Sequence, residues 1–458
     1  MSTVCAVCTP LAQGGIAVIR ISGERAVDAA SRLFCPFFSF PKVEEMKGYS
    51  CAYGRVIDPE TGEKIDDAVL TIFRAPHSYT GEDTAEISCH GGVYIAKRIL
   101  RLCLENGCEQ ADRGEFTKRA FLNGKLSLTQ AEAVMDMISA KGEHALRSAR
   151  LTKEGRLYAE AEAVKQQLVE TLGELAAWVD YPEEDLPAVE SEALAASVGS
   201  AKKRLEKLLE GYDTGMLLRR GIDTVIAGKP NVGKSTLMNT LLGYERSIVT
   251  ELAGTTRDVI EESVSLGGFE LRLSDTAGIR ETSDRVESMG VDIARKRLSD
   301  CSLVIAVFDT SEQADSEDKE LVEYISGLGA KKIVVLNKND LGDCFDRTLL
   351  ERLDCKIIEL SAAKGEGKEE LSKAVAELFG GAYLDGDETI FANERQKRCI
   401  EKASEKLGEA ETALDSGETL DAVTVLIDCA CEELMALTGE KVTEAVVDEV
   451  FGKFCVGK

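Results

Sequence analysis

The run Gly228-Lys229-Pro230-Asn231-Val232-Gly233-Lys234-Ser235 constrains this chain more than any other stretch of it. Its spacing is G-x-x-x-x-G-K-[ST]. The apolar run Thr224-Val225-Ile226-Ala227 ends just before it, and Thr236-Leu237-Met238-Asn239 reads as the opening of a helix just after it. A strand, a glycine-bounded loop and a helix in that order let backbone N–H groups turn inward around phosphate oxygens, and the helix N-terminus adds a favourable field. The spacing predicts a phosphate cradle made by Asn231, Val232, Gly233, Lys234, Ser235 and Thr236. Lys234 is expected to reach the β- and γ-phosphates, and the Ser235 hydroxyl to ligate Mg²⁺.

The sequence downstream agrees with such a scaffold. Leu303–Phe308 and Lys332–Leu336 are continuous apolar runs of the kind found in buried parallel sheets. Asp275-Thr276-Ala277-Gly278 follows the β-like run Glu270–Ser274. An Asp at the end of a strand can hold magnesium through water, and the Gly278 N–H can sense a γ-phosphate. Between lie Thr250-Glu251-Leu252-Ala253-Gly254-Thr255-Thr256, where Thr256 is expected to complete the magnesium shell. Asn337-Lys338-Asn339-Asp340 follows the strand ending at Leu336. The Asp340 carboxylate can accept from the N1–H and 2-amino group of guanine. Adenine lacks that donor pair, so a buried carboxylate would be left unpaired. Ser361-Ala362-Ala363 then fits an element that contacts the guanine O6. In this order the motifs imply GTP and GDP as ligands.

Hydrolysis needs a group that orients water. Ras-like proteins place a Gln after the D-x-x-G element, but Ile279 stands there in this chain. The acids Glu281, Asp284 and Glu287 are the alternatives. Asn231 could hold a monovalent cation beside the phosphates, supplying positive charge where it develops.

The rest of the chain sets limits. With 55 Lys+Arg against 81 Asp+Glu, the net charge is −26. Such a surface repels nucleic acid at long range, so a nucleic-acid substrate would need a partner or a local basic patch to hold it. No run of eighteen apolar residues occurs, so no transmembrane helix and no membrane association are expected. The N-terminus lacks a signal-peptide pattern, which leaves the cytoplasm as the expected compartment. The fourteen cysteines are scattered, and Cys5 and Cys8 form the sole C-x-x-C pair. Most are expected to be reduced core residues.

Texture divides the chain into segments. Residues 1–118 alternate β-like runs (15–23, 67–73 and 85–90) with a helix over Val93–Glu105, an α+β pattern. Residues 119–214 are helical, with Leu157, Ala161, Val164, Leu168, Leu172, Leu175 and Val179 on one stripe that breaks at Tyr181-Pro182-Glu183-Glu184-Asp185. Residues 215–382 are α/β. Residues 383–458 return to helix, with stripes Ile400, Ala403, Leu407, Ala410, Leu414 and Leu420, Val423, Ile427, Ala430, Leu434, Leu437. Helix on both sides of an α/β block predicts an insertion into an all-α domain.

Several further motifs give the chain a resemblance along its whole length. Thr9-Pro10, Gly14-Gly15, Ile19-Arg20-Ile21-Ser22-Gly23, Ser78-Tyr79-Thr80-Gly81-Glu82-Asp83 and His90-Gly91-Gly92 look like the N-terminal signature of the MnmE (TrmE) family, GTPases that modify the wobble uridine of certain tRNAs. Arg113–Thr117 and Arg119–Asn123 are similar to its domain junction, and Cys455-Val456-Gly457-Lys458 to its Cys-x-Gly-Lys terminus. The resemblance implies an α/β P-loop GTPase domain inserted in an all-α helical domain, preceded by an α+β tetrahydrofolate-binding-like domain. It implies a homodimer joined through the N-terminal domains, with Arg20, Glu86, Lys125 and Lys458 contacting a 5-formyl- or methylene-tetrahydrofolate. It places a K⁺ site on Asn231, Thr250, Leu252 and Thr255, the catalytic acid on Glu287, and a reactive thiol on Cys455. The implied reaction adds an aminomethyl or carboxymethylaminomethyl group to uridine C5 of tRNA, together with the flavoprotein MnmG (GidA). A ribosome-assembly GTPase of the Era or Der type would instead carry a basic RNA-binding module, and a non-catalytic scaffold would lack turnover.

Overall fold

Alternation builds the first sheet. In strand β5 (Lys64–Phe73) the buried positions are Ala68, Leu70 and Ile72, two residues apart, so one face of the strand enters a core. The computed structural model describes residues 1–38, 42–180, 191–243, 262–275, 298–380, 391 and 393–458. These residues divide into two units: Met1–Met135, Lys153–Lys202 and Lys402–Lys458 in the first, Asp136–Thr152 and Lys203–Glu401 in the second.

The first unit contains a seven-stranded sheet of β1 (Val4–Val7), β2 (Ile16–Ser22), β3 (Phe34–Pro36), β4 (Ser50–Ile57), β5, β6 (Thr84–His90) and β7 (Glu109–Gln110), in the order β3-β4-β5-β6-β2-β1-β7. Helices α1 (Ala26–Leu33) and α2 (Val93–Glu105) cover it, and Ile19, Ile21, Leu33, Leu70, Ile87, Ile99 and Leu102 share the core between them. In chain order helix α3 (Glu115–Leu122) follows, then α4 (Leu128–Ser139), α5 (Glu143–Lys153), α6 (Arg156–Asp180), α7 (Ser191–Glu210) and α8 (Tyr212–Arg220), of which α5, as far as Thr152, and α8 fall in the second unit. The stripe expected on α6 is inward-facing at Leu157, Ala161, Val164, Leu168 and Leu175.

In the second unit, β8 (Ile222–Ala227), β9 (Glu262–Leu266), β10 (Phe269–Asp275), β11 (Leu303–Asp309), β12 (Lys331–Asn337) and β13 (Lys356–Glu359) form a six-stranded sheet in the order β13-β12-β11-β8-β10-β9. All neighbours are parallel except β9 with β10. Every residue of β11 is buried. Ile305, Val307 and Val335 enter one core while Val304, Ala306 and Val334 enter another, so apolar layers cover both faces. These layers include α9 (Lys234–Gly243), α10 (Ser316–Ser326) and α11 (Lys368–Gly380). Helices α12 (Glu394–Asp415), α13 (Leu420–Thr438) and α14 (Glu444–Gly452) complete the chain order, and from Lys402 onward they belong to the first unit. The chain is thus an α+β segment followed by helices, with an α/β domain inserted among them.

Most expected elements appear within a few residues of their anticipated limits, and α2 spans Val93–Glu105 as anticipated. The sequence pattern missed β1, β3, β4, β7 and β9. Val4-Cys5-Ala6-Val7 is buried at all four positions and so shows no alternation. Strand β4 contains Gly54, which reads as a breaker. A Cβ there would lie 2.4 Å from the Cys35 carbonyl oxygen, so close packing of β3 demands glycine. The stripe break at 181–185 lies outside the described residues. The cysteine expectation needs correction. All fourteen are free, but only Cys5, Cys89, Cys103, Cys108, Cys399 and Cys431 are buried, while Cys35, Cys51, Cys344 and Cys455 are exposed. Cys35 and Cys51 sit at outward positions of β3 and β4. Among the described residues no helix is long and apolar enough to cross a membrane.

Candidate functional site

Parallel strands deliver their C-terminal loops to one edge of a sheet, and the phosphate-cradle pattern sits on such a loop, between β8 and α9. Two glycines make the loop possible. A Cβ at Gly228 would lie 2.5 Å from the Val307 carbonyl oxygen, and one at Gly233, where φ is +99°, would lie 2.2 Å from Asn337 Nδ2. Asn231 also has a positive φ, 66°. Asn tolerates this left-handed conformation better than most residues. Val232 is buried, which anchors the loop while Asn231, Ser235 and Thr236 stay exposed. Lys234 Nζ donates to the carbonyls of Gly228 at 2.8 Å and Lys229 at 2.7 Å, so its ammonium is held along the inner side of the loop.

The loop after β12 joins this cradle through one amide. Asn337, itself buried, donates to the Val232 carbonyl and accepts from the Ala362 N–H. Thr240 Oγ1 on α9 donates to the Ala362 carbonyl at 2.9 Å. Lys338 (φ 63°) directs its ammonium to Asp309 Oδ2 at 2.5 Å. Burial pushes the Asp309 carboxyl up, but Lys338 and the two Ser311 donors outweigh it, and the net shift is downward. The neighbouring Ser361 hydroxyl is the main reason that the Asp340 pKa is lowered; Lys364 adds to the effect from 3.5 Å. Asp340 is therefore ionised and acceptor-only at neutral pH. Ser361 and Ala362 are buried and Ala363 is exposed.

Other anticipated members of this site are only partly placed. The backbone of Asp275 ends β10, in register with Ile226 of β8, two residues before Gly228. A carboxylate there and the Ser235 hydroxyl are hard oxygen donors, a set that suits Mg²⁺. Thr250, Glu251, Leu252, Ala253, Gly254, Thr255, Thr256, Thr276, Ala277, Gly278 and Glu287 lie outside the described residues, so Asn231 is the sole described member of the anticipated K⁺ set.

A second constellation lies in the first unit. Arg20 on β2 and Glu86 on β6 are register partners, and their side chains pair at 2.7 Å. The Arg20 guanidinium also lies 5.5 Å from the Tyr79 ring centroid and 5.3 Å from that of Phe116. The Phe116 N–H donates to the Lys458 carbonyl at 3.1 Å, and Arg113 bridges Val456, so the Cys455–Lys458 tail runs beside these residues. Burial raises the Cys8 thiol pKa, against a smaller lowering by the Arg20 charge. Lys125 is placed differently. Its ammonium donates to the Pro76 carbonyl at 3.0 Å, at the other end of the loop that carries Tyr79. Cys455 is exposed.

Sequence reasoning missed the buried Arg119, whose guanidinium bonds Glu115, Glu82 and the Ser2 carbonyl. The i,i+4 spacing of Glu115 and Arg119 is a visible signal, but Glu82 and Ser2 come from distant segments. It also missed Asp309, whose partner is in the next strand's loop.

Two family models match the chain. One, described as "MnmE helical domain", covers residues 128–455, and one described as "GTP-binding protein TrmE N-terminus" covers residues 3–125. Curated relatives named "tRNA modification GTPase MnmE" span its full length. The protein from Lactobacillus delbrueckii subsp. bulgaricus is 38% identical over 100% of this chain and 98% of its own. That from Acetivibrio thermocellus is 39% identical over 100% and 99%. That from Geobacillus kaustophilus is 40% identical over 100% and 99%.

Proposed function

The chain belongs to the MnmE (TrmE) family of tRNA modification GTPases, and from that membership we propose that it hydrolyses GTP while installing an aminomethyl or carboxymethylaminomethyl group on C5 of a tRNA wobble uridine. One observation carries the nucleotide half of this reading. Asn337 ties the loop that would hold phosphate to the Ser361–Ala362 loop beside Asp340, which supports reading cradle and purine-selecting carboxylate as one site.

Roles follow from chemistry. Backbone N–H groups of 231–236 and the α9 N-terminus bind phosphate oxygens. Lys234 turns its ammonium to the β- and γ-phosphates, and Asp340 accepts two hydrogen bonds from guanine. Ser235, Thr256 and Asp275 would hold Mg²⁺, which supplies charge neutralisation at the transferring phosphoryl group. Asn231, with Thr250, Leu252 and Thr255, would hold K⁺. Glu287 would orient the attacking water, since Ile279 cannot. We place the domain limits at 1–118, 119–214, 215–382 and 383–458.

For the first unit we propose a tetrahydrofolate site at Arg20, Glu86, Lys125 and Lys458. The Glu86 carboxylate suits an amino-pyrimidine edge, and the cations suit folate carboxylates. The Arg20–Glu86 pair beside Tyr79 and Phe116 supports this reading: a charged pair at an aromatic wall matches a flat, polar-edged heterocycle. Cys455 would be a reactive thiol at its rim. We further propose a cytoplasmic homodimer that works with MnmG, which would hold most of the tRNA and so reconcile the −26 charge with that substrate.

The test has two arms. Purified protein with magnesium is expected to bind GTP and GDP and to discriminate strongly against ATP; equal affinity for both purines refutes the nucleotide reading. Wobble nucleosides of a deletion strain are expected to lose the C5 group and regain it with the parent gene but not with Asp275→Ala. Unchanged nucleosides in the deletion strain refute the tRNA reading alone.

A further inference from the structure

The second residue of the phosphate loop has a role that its motif leaves open, since any residue is allowed there. Lys229 turns its side chain out of the loop and is nearly buried, with 11% of the side chain exposed. Its Nζ lies 2.9 Å from Asp315 Oδ2, 3.0 Å from Asp318 Oδ2 and 3.6 Å from Glu312 Oε2. Asp315 and Asp318 are not loose surface acids. They form the capping box of α10: Asp318 N donates to Asp315 Oδ1 at 3.0 Å, and Asp315 N to Asp318 Oδ2 at 3.1 Å. The Asp318 side chain is 1% exposed, and its Oδ1 has no hydrogen-bond partner among the described residues. Burial works against the Lys229 charge, but its bonds to the two carboxylates outweigh burial and push its pKa up. The ammonium is thus a fixed counter-charge, held by a helix terminus that is itself anchored to the sheet.

The main chain of the same residue faces the other way. Its carbonyl accepts from Lys234 Nζ at 2.7 Å, beside the Gly228 carbonyl at 2.8 Å. Pro230 follows, and a residue before proline is confined to extended backbone. A clamped side chain on one side and proline on the other leave the 229–230 peptide little freedom.

We propose that Lys229 is a positioning residue for the phosphate site: its clamp on Asp315 and Asp318 fixes the peptide whose carbonyl, with that of Gly228, aims the Lys234 ammonium. This rests on the reading of the loop as a guanine-nucleotide site and adds a constraint from outside the pocket. A displacement of about 1 Å in a positioned group can cost up to roughly a hundredfold.

The experiment uses the full chain and a fluorescent GDP, with melting temperature read in parallel. Lys229→Met is expected to weaken GDP binding on the order of tenfold or more, and Lys229→Arg, which keeps the charge and the reach, to restore most of it. Lys229→Met also strands the Asp318 charge, so Lys229→Met/Asp318→Asn is the deciding variant. The amide removes that charge while keeping an acceptor for the Asp315 N–H. The double variant is expected to regain the parent melting temperature and to keep the weak binding. Recovery of both, or parent-like affinity in Lys229→Met, overturns the proposal. Parent protein that binds no guanine nucleotide defeats the underlying site assignment instead.

Discussion

Asn337 reaches across 105 residues of sequence to Val232, its Nδ2 donating to the Val232 carbonyl at 2.7 Å. The same side chain accepts from Ala362 N at 3.0 Å. Asn337→Asp keeps the acceptor and loses the donor, leaving a buried carbonyl unpaired at a cost of about 1–3 kcal/mol. A lower melting temperature and GDP binding weaker by roughly tenfold are expected. Calorimetry and nucleotide titration check both; parent-like values in both would show that the bridge is ornamental.

Asp340→Asn exchanges an acceptor-only group for an amide that also donates. The donor then faces the guanine 2-amino group, whereas xanthine presents an oxygen there. GTP affinity is expected to fall by at least about a hundredfold and xanthosine triphosphate affinity to rise. Competition titrations read the ratio directly, and an unchanged preference for guanine would remove Asp340 from base recognition.

Arg119 has 3% of its side chain exposed and faces Glu82 and Glu115. Arg119→Met leaves both carboxylates without that cation. Breaking a buried pair from one side costs about 3–5 kcal/mol, so the first unit should melt markedly earlier while GDP binding in the second persists. Differential scanning calorimetry with and without GDP separates the two effects.

The acid range tests the clamp from another direction. The Asp315 carboxyl is lowered from 3.8 to about 2, first by its bond to Lys229 and then by the Asp318 N–H. A pKa lower in the folded than in the unfolded state stabilises above the unfolded value and loses that effect as pH falls through the folded value. Asp309, also lowered, acts with the same sign. The difference in urea midpoint between the parent and Asp315→Asn should hold from neutral pH to about 5, then shrink and vanish near 2. A difference that grows on acidification contradicts this sign.

Some of this was legible in the sequence because it is local. The cradle at 228–235 and the motif at 337–340 each follow an apolar strand, and strand, loop and helix declare themselves through short-range pattern. The stripe on α6 showed its buried side for the same reason. What was not legible depends on distant partners. Nothing near Lys229 announces Asp315 and Asp318, and nothing near Arg20 announces Tyr79 and Phe116 as its walls. Strand β4 stayed hidden because Gly54 serves β3, a neighbour the local pattern does not reveal. The grouping of Arg20, Glu86 and Lys458 came from resemblance, since charges on separate strands and a tail share no period.

The tail of the chain closes on its first strand. Gly457, at φ +94°, passes so close that a Cβ would lie 2.5 Å from the Val7 carbonyl oxygen, and Phe451 and Phe454 share a core with Leu128. Residue 457 is made long after residue 7, so the opening strand gains this strap only when synthesis has reached the tail. A C-terminal truncation therefore acts on the first strand made, at the opposite end of the sequence.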